Sequence, residues 1–85
     1  MFYLYILQNR NRELYFGATK NLRRRIFEHT NNKKSFAGQH GPWKLVYYEA
    51  YISERDARNR EHQIKYHGQA KRRLRDRLKN SLEQS

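Results

Sequence analysis

Two tyrosines ten residues apart (Tyr5 and Tyr15), an arginine and a histidine four apart (Arg25 and His29), and a glutamate inside an apolar spacing (Glu61) are the residues here whose types and positions could do chemistry. Tyr5 and Tyr15 fall on two short aromatic runs that read as neighbouring strands, within a residue or so of facing one another. At about 100° per helical residue, Arg25 and His29 lie within roughly 60° of Leu22, so they lean toward the sheet, whereas Arg23 and Arg24 do not. Ala57, Glu61 and Ile64 stand at i, i+4 and i+7, which sets a carboxylate in the middle of an inward stripe. Each residue also has an ordinary reading. Strand tyrosines pack at core edges, an arginine stem can cover the core while its head reaches water, and an inward glutamate can pair with a basic neighbour such as Arg25. Aimed at one region, the set has the parts for hydrolysing a phosphodiester: a ligand for a hard cation, a positive charge for the charge that grows on phosphorus, and groups to position or deprotonate water. Other common chemistries find no support, because the sequence has no Gly-rich phosphate loop, no Gly-x-Ser-x-Gly elbow and no His-Glu-x-x-His helix.

The elements that must hold these side chains follow from the pattern of the chain. Phe2 to Leu7 and Leu14 to Gly17, separated by the polar Asn9-Arg10-Asn11-Arg12, form a β-hairpin signal with two inner-sheet strands. A short helix runs from Leu22 toward Thr30-Asn31-Asn32, with Thr19 or Asn21 available as its N-cap. Lys33 to Gly41 lacks periodicity and reads as a surface loop. Lys44 to Tyr51 is a third strand, apolar enough on both sides to be central. Ser53 opens a capping signature for a helix that runs to about His67 and stops at Gly68. Ala70, Leu74, Leu78 and Leu82 then make a narrow apolar stripe on a last, strongly basic helix over about 70–82. The ββαβαα order implies an α+β fold, one sheet with helices, in a single domain over 1–85 whose core spans about 2–67.

Composition narrows the partners. Nineteen Lys+Arg against eight Asp+Glu leave a formal charge of +11, which attracts polyanions and points to nucleic acid ahead of an acidic membrane surface or a ribosomal position. Only 36% of residues are hydrophobic, so twelve aromatics supply much of the buried area. Without cysteine there is no disulfide framework and no Cys-based zinc site. The longest apolar stretch, Leu4 to Leu7, is far short of the roughly 20 residues that span a bilayer, and no signal segment opens the chain. These features lead us to expect a soluble, cytoplasmic protein with no membrane partner.

At this point the chain resembles the GIY-YIG nuclease superfamily, in particular its small single-domain members. Tyr3-Leu4-Tyr5 stands where that family writes Gly-Ile-Tyr, and Tyr15-Phe16-Gly17 where it writes Tyr-Ile-Gly. The likeness continues through Thr19-Lys20-Asn21-Leu22 to Arg25 and His29, then Gly41-Pro42-Trp43-Lys44-Leu45-Val46-Tyr47-Tyr48-Glu49, and Arg60-Glu61-His62-Gln63-Ile64-Lys65. The resemblance implies a three-stranded antiparallel sheet flanked by helices and a divalent cation, Mg²⁺ or Mn²⁺, held mainly by Glu61. It also implies that Arg25 stabilises the charged phosphorane, that Tyr5 orients or deprotonates water with help from Tyr15, and that His29 is auxiliary. Gly17 would let backbone approach closely beside the site. Ala18 stands where repair-type members carry a lysine, and Arg73 where several carry an asparagine; either the site is leaner, or the loop with Lys33, Lys34 and His40 supplies the missing groups.

The expected activity is therefore one-metal endonucleolytic hydrolysis of DNA, with RNA a possible substrate, by a monomer or weak homodimer. Lys71, Arg72, Arg75 and Lys79 on the C-terminal helix would contact phosphates, which positions the duplex without reading its sequence. The rivals are a non-catalytic basic module that binds DNA or RNA on the same fold, and an interface with a larger protein.

Overall fold

The computed structural model describes residues 1–31 and 42–83. Strands β1 (Phe2–Asn9), β2 (Leu14–Thr19) and β3 (Trp43–Tyr51) form one antiparallel sheet in the order β2-β1-β3. Helix α1 (Leu22–Asn31) lies between β2 and β3 in sequence, and α2 (Glu54–Tyr66), α3 (Gly68–Arg77) and α4 (Lys79–Glu83) follow. This is the expected α+β arrangement of three antiparallel strands flanked by helices.

Short-range polar contacts explain the boundaries. Asn9 ties the hairpin: its carbonyl accepts from the Arg12 N–H (3.1 Å) and its Oδ1 accepts from the N–H groups of Asn11 (3.0 Å) and Glu13 (2.8 Å). Arg12 takes the left-handed backbone (φ 66°) that the turn requires. Of the two candidate caps for α1, Asn21 caps the helix, its Oδ1 accepting from the Arg24 N–H at 3.1 Å. Ser53 caps α2 by accepting from the Asp56 N–H, as its position before Glu54 and Asp56 suggests.

Alternation along the strands gives the sheet two apolar faces. Leu4 and Ile6 pack with Ile64, Leu74 and Leu78 from α2 and α3 and the residue that follows α3, ringed by Leu14, Phe16, Val46 and Tyr47. Tyr5 and Leu7 point the other way, with Trp43, Tyr15, Leu45, and Leu22 and Ile26 of α1.

Three expectations need correction. The central strand is β1, not β3: Leu4 to Asn9 are all buried, whereas β3 alternates toward exposed Lys44, Tyr48 and Ala50 as an edge strand does. β2 is likewise an edge, so only one of the two hairpin strands is interior. The expected stop of α2 near His67 and Gly68 is where the helix ends: extended His67 caps it and turns the chain, and α3 begins at Gly68. The last helix is broken at Leu78 (φ −97°, ψ 13°), which lets the stripe follow the sheet: Leu74 and Leu78 are buried, and Leu82 packs at the margin. The loop from Lys33, with Lys34 and His40, lies outside the described residues.

Candidate active site

The antiparallel register places Tyr5 opposite Gly17, and Tyr15 opposite Leu7. Tyr15 is therefore two positions from facing Tyr5, and an even offset keeps both rings on the α1 face of the sheet. Tyr5 is fully buried, and its ring stacks beside Tyr15 with centroids 6.4 Å apart. Tyr15 in turn meets the edge of Trp43 at 6.1 Å.

Gly17 is the floor on which the Tyr5 ring lies. A Cβ there would stand 2.5 Å from Tyr5 Cζ and 2.9 Å from Cε1, distances that no side chain accommodates without displacement. The backbone does not need glycine for its dihedrals, so the requirement is space alone. Gly17→Ala is expected to lose about 1–3 kcal/mol of stability by overpacking, read as a lower denaturation midpoint, and to push the Tyr5 hydroxyl out of position.

From α1, His29 reaches the same hydroxyl. Tyr5 Oη and His29 Nε2 are 2.8 Å apart, and both side chains are buried. The His29 ring also packs on Tyr15, with centroids 4.4 Å apart. Arg25, one turn earlier on α1, hydrogen-bonds Glu28 Oε2 at 3.2 Å, and its charge acts on the Tyr5 phenol. A neutral His29 with its proton on Nδ1 accepts the phenolic hydrogen at Nε2; the other tautomer donates to the phenol oxygen.

The electrostatics favour the neutral imidazole. Burial raises the Tyr5 pKa above its ordinary 10.0; the Arg25 hydrogen bond and charge pull it back, and Tyr15 and Glu61 add to the rise. Burial, and then the Arg25 charge, hold His29 below its ordinary 6.5. An unfolded His29 thus takes up a proton at a pH where the folded one does not, so the unfolded state binds more protons in that window. Its contribution to stability is fully present above about pH 6.5 and is lost as pH falls through the lower folded value. The melting temperature should decline from pH 7.5 toward pH 5, and His29→Gln should flatten that decline.

Glu61 comes from α2, on the same helix face as buried Ala57 and Ile64. Its side chain is 20% exposed, and Oε2 pairs with Lys65 Nζ at 2.9 Å, one helical turn on. The sequence allowed a pair with Arg25; that arginine is engaged with Glu28 and Tyr5 instead. The Glu61 charge adds to the rise in the Tyr5 pKa, although α2 packs on the Leu4–Ile6 face of the sheet and α1 on the Tyr5–Leu7 face.

A family model, the GIY-YIG catalytic domain, matches residues 1–75. The chain belongs to the GIY-YIG family. It is 42% identical over 66 residues to a UPF0213 protein of Clostridium perfringens, covering 76% of this chain and 71% of that protein. With a UPF0213 protein of Natronomonas pharaonis it shares 35% over 71 residues, or 82% of this chain and 84% of the other. The solution NMR structure of a UPF0213 protein from Bacillus halodurans is similar at a TM-score of 0.57 and 31% identity, over 93% of this chain and 86% of that one. GIY-YIG domains are generally endonucleases.

The basic residues of the last two helices separate into two groups. Arg72, Arg75 and Lys79 are exposed on α3 and α4, while Lys71 is half-buried with its ammonium 5.3 Å from the centre of the Phe16 ring. Among the described residues no helix is long and apolar enough to cross a membrane.

The opposite face of the sheet holds a polar cluster that reading the sequence for chemistry missed. Glu49 accepts from the hydroxyls of Tyr47 and Tyr51 and from Arg60, whose Nε lies 3.0 Å from Oε1. Burial pushes the Glu49 carboxyl up, but these hydrogen bonds outweigh it and hold it below its ordinary range. Burial and the Glu49 acceptor push both phenols up to about 12. Arg60 Nη1 also donates to Gln63 Oε1 at 3.0 Å, so the cluster ties β3 to α2, the helix that carries Glu61. The only trace in the sequence was that Glu49 and Arg60 fall inside the family-like segments.

Proposed function

We propose that this chain is a metal-dependent endonuclease that hydrolyses phosphodiester bonds in DNA, with Tyr5, Arg25, His29 and Glu61 as its working groups and Tyr15 and Gly17 as their support. The observation that carries this reading is the Tyr5 oxygen, which lies 2.8 Å from His29 Nε2 in a buried setting on which the Arg25 charge acts. A phenol kept protonated at neutral pH is a poor base by itself. Joined to His29, it can take a proton from water while passing its own to Nε2, so that His29 finally holds the proton. The water oxygen attacks phosphorus, and the P–O bond opposite it breaks. Arg25, one helical turn before His29, would face the charge that accumulates on the phosphoryl oxygens.

Glu61 would hold the divalent cation, and the residues present fit a hard ion of the Mg²⁺ or Mn²⁺ kind. Among the described residues no group of three or more His, Cys, Asp or Glu is arranged to hold a metal, so Glu61 would be a single carboxylate ligand and water would supply the rest of the shell. That a lysine ammonium reaches Oε2 indicates that a cation has access to this carboxylate. When bound, the cation supplies positive charge beside the scissile phosphate and its leaving oxygen. Lys65 would then give up a pair whose loss costs little, about 0.3–0.5 kcal/mol.

The Glu61–Lys65 pair also gives the rival its best support, because a purely DNA- or RNA-binding module would carry such a pair as ordinary helix decoration. The exposed cations of α3 and α4 serve either reading by contacting phosphates, each contact steepening the salt dependence by about 0.9 of a unit. The two readings part at Tyr5. Tyr5→Phe keeps the ring on Gly17 and removes only the hydroxyl; the nuclease reading expects single-turnover cleavage to fall by roughly 10²-fold or more, with affinity unchanged. Cleavage should also rise from acid pH through a value below 6.5 and level off near neutrality, as His29 loses its proton. A Tyr5→Phe protein that cuts at the wild-type rate would remove the phenol from the mechanism.

A further inference from the structure

Beside the candidate active site, on the same face of the sheet, lies a groove of about 470 Å³ between α1 and the strands. Leu22 and Ile26 form its apolar floor, and Tyr3 and Tyr48 meet edge to face on its wall, centroids 5.9 Å apart at 66°. Tyr48 is the residue of β3 that sits opposite Tyr5 in the register, yet its side chain is left open, at 51% exposure. Lys20 and Arg23 border the groove, and none of the residues lining it is acidic. Neither cation forms an ion pair among the described residues, unlike Arg24, Arg25, Arg58 and Arg60. Lys20 also borders the neighbouring cleft that contains Arg25, so the groove and the site share a wall.

An exposed aromatic wall, an apolar floor and two uncommitted cations match one kind of group: a flat, apolar-faced ring attached to a phosphate. We propose that this groove receives a nucleobase outside the helical stack, next to the phosphate in the active site, with the base stacked on Tyr48 and the flanking phosphates held by Lys20 and Arg23. Stacking on tyrosine is indifferent to which base arrives, because every base has a π face, so the groove selects for an unstacked nucleotide without reading sequence. The base can come from a single strand or be extruded from a duplex, at a cost in unpairing that a mismatch or junction lowers. The inference rests on the nuclease reading only for the identity of the polyanion.

Binding is measured in EDTA, where no cleavage occurs, with an oligodeoxynucleotide carrying one aminopurine, whose fluorescence is quenched when the base stacks on an aromatic ring. The wild-type protein should quench the probe, and Tyr48→Ala should abolish the quench and weaken binding roughly 5- to 150-fold, the range for losing one stacked base. Tyr48→Phe, which keeps the ring, should retain both. Lys20→Gln and Arg23→Gln should each lower the salt-dependence slope by about 0.7 for single-stranded probe and leave the quench intact. Quenching by single-stranded probe alone identifies an unpaired strand as the source; quenching by an aminopurine duplex as well identifies extrusion. If Tyr48→Ala quenches and binds like the wild type, or an abasic oligonucleotide binds the wild type as well as a complete one, the assignment is overturned. A Tyr48-dependent quench without Mg²⁺-dependent cutting would instead count against the nuclease reading and leave the groove standing.

Discussion

Glu61→Gln is expected to bind DNA as tightly as the wild-type protein and to leave it uncut. The amide keeps the size of the carboxylate and removes only its charge, and neighbouring Ala57 and Ile64, both buried, keep α2 on the sheet. What the fold loses is one i,i+4 pair with Lys65, worth about 0.3–0.5 kcal/mol, so the variant should unfold within that margin of the wild type. What the site loses is its only proposed carboxylate ligand for the cation. Deleting a single preorganised donor typically costs 10²- to 10³-fold; removing the anchor of a divalent charge should cost at least about the upper figure. A gel-shift titration beside a cleavage time course separates the two effects, and raised Mg²⁺ should not restore the rate.

Arg25→Ala should slow cleavage by roughly 10²- to 10³-fold for a different reason. Its guanidinium is partly exposed and its pair with Glu28 is an ordinary surface contact, so the structural loss is small. The chemical loss has a signature in the pH profile. The Arg25 charge contributes to holding His29 below its ordinary pKa. With that charge gone, the His29 pKa moves upward, and the acid limb of the rate profile should shift to higher pH along with the fall in rate. Arg25→Lys should preserve the position of the limb better than the rate, because an ammonium supplies charge but not the planar set of donors. A lower plateau with an unmoved acid limb would mean that Arg25 acts on the phosphate alone and not on the Tyr5–His29 pair.

Much of this arrangement was legible in the sequence because it depends on local rules. The Ser53 cap, the Asn9 turn and the helical positions of Arg25, His29 and Glu61 follow from hydrogen-bonding side chains at fixed offsets and from the 3.6-residue period. What escaped were choices made by pairing and packing. The continuous apolar run Leu4 to Leu7 was the mark of the strand buried on both faces, and it outweighed the aromatic look of β3, whose Lys44 and Glu49 belong to an edge. The offset between Tyr5 and Tyr15 depends on the Asn9 turn, which sets the register two residues away from direct pairing. The Glu61 partner was misjudged because a side chain one turn away on its own helix was available, and local pairs form at lower entropic cost than distant ones. Tyr5–His29 was the hardest to foresee: the two residues are 24 apart in sequence, and only the space above Gly17 lets the phenol reach the imidazole.

The central claim is that Tyr5, Arg25, His29 and Glu61 form a working phosphodiesterase site, and nicking of supercoiled plasmid tests it most directly. The wild-type protein with Mg²⁺ or Mn²⁺ should convert supercoiled DNA to the open circle, EDTA should stop the conversion, and Glu61→Gln should show none under any metal. Nicking that proceeds equally in Glu61→Gln, or persists in EDTA, would contradict the account.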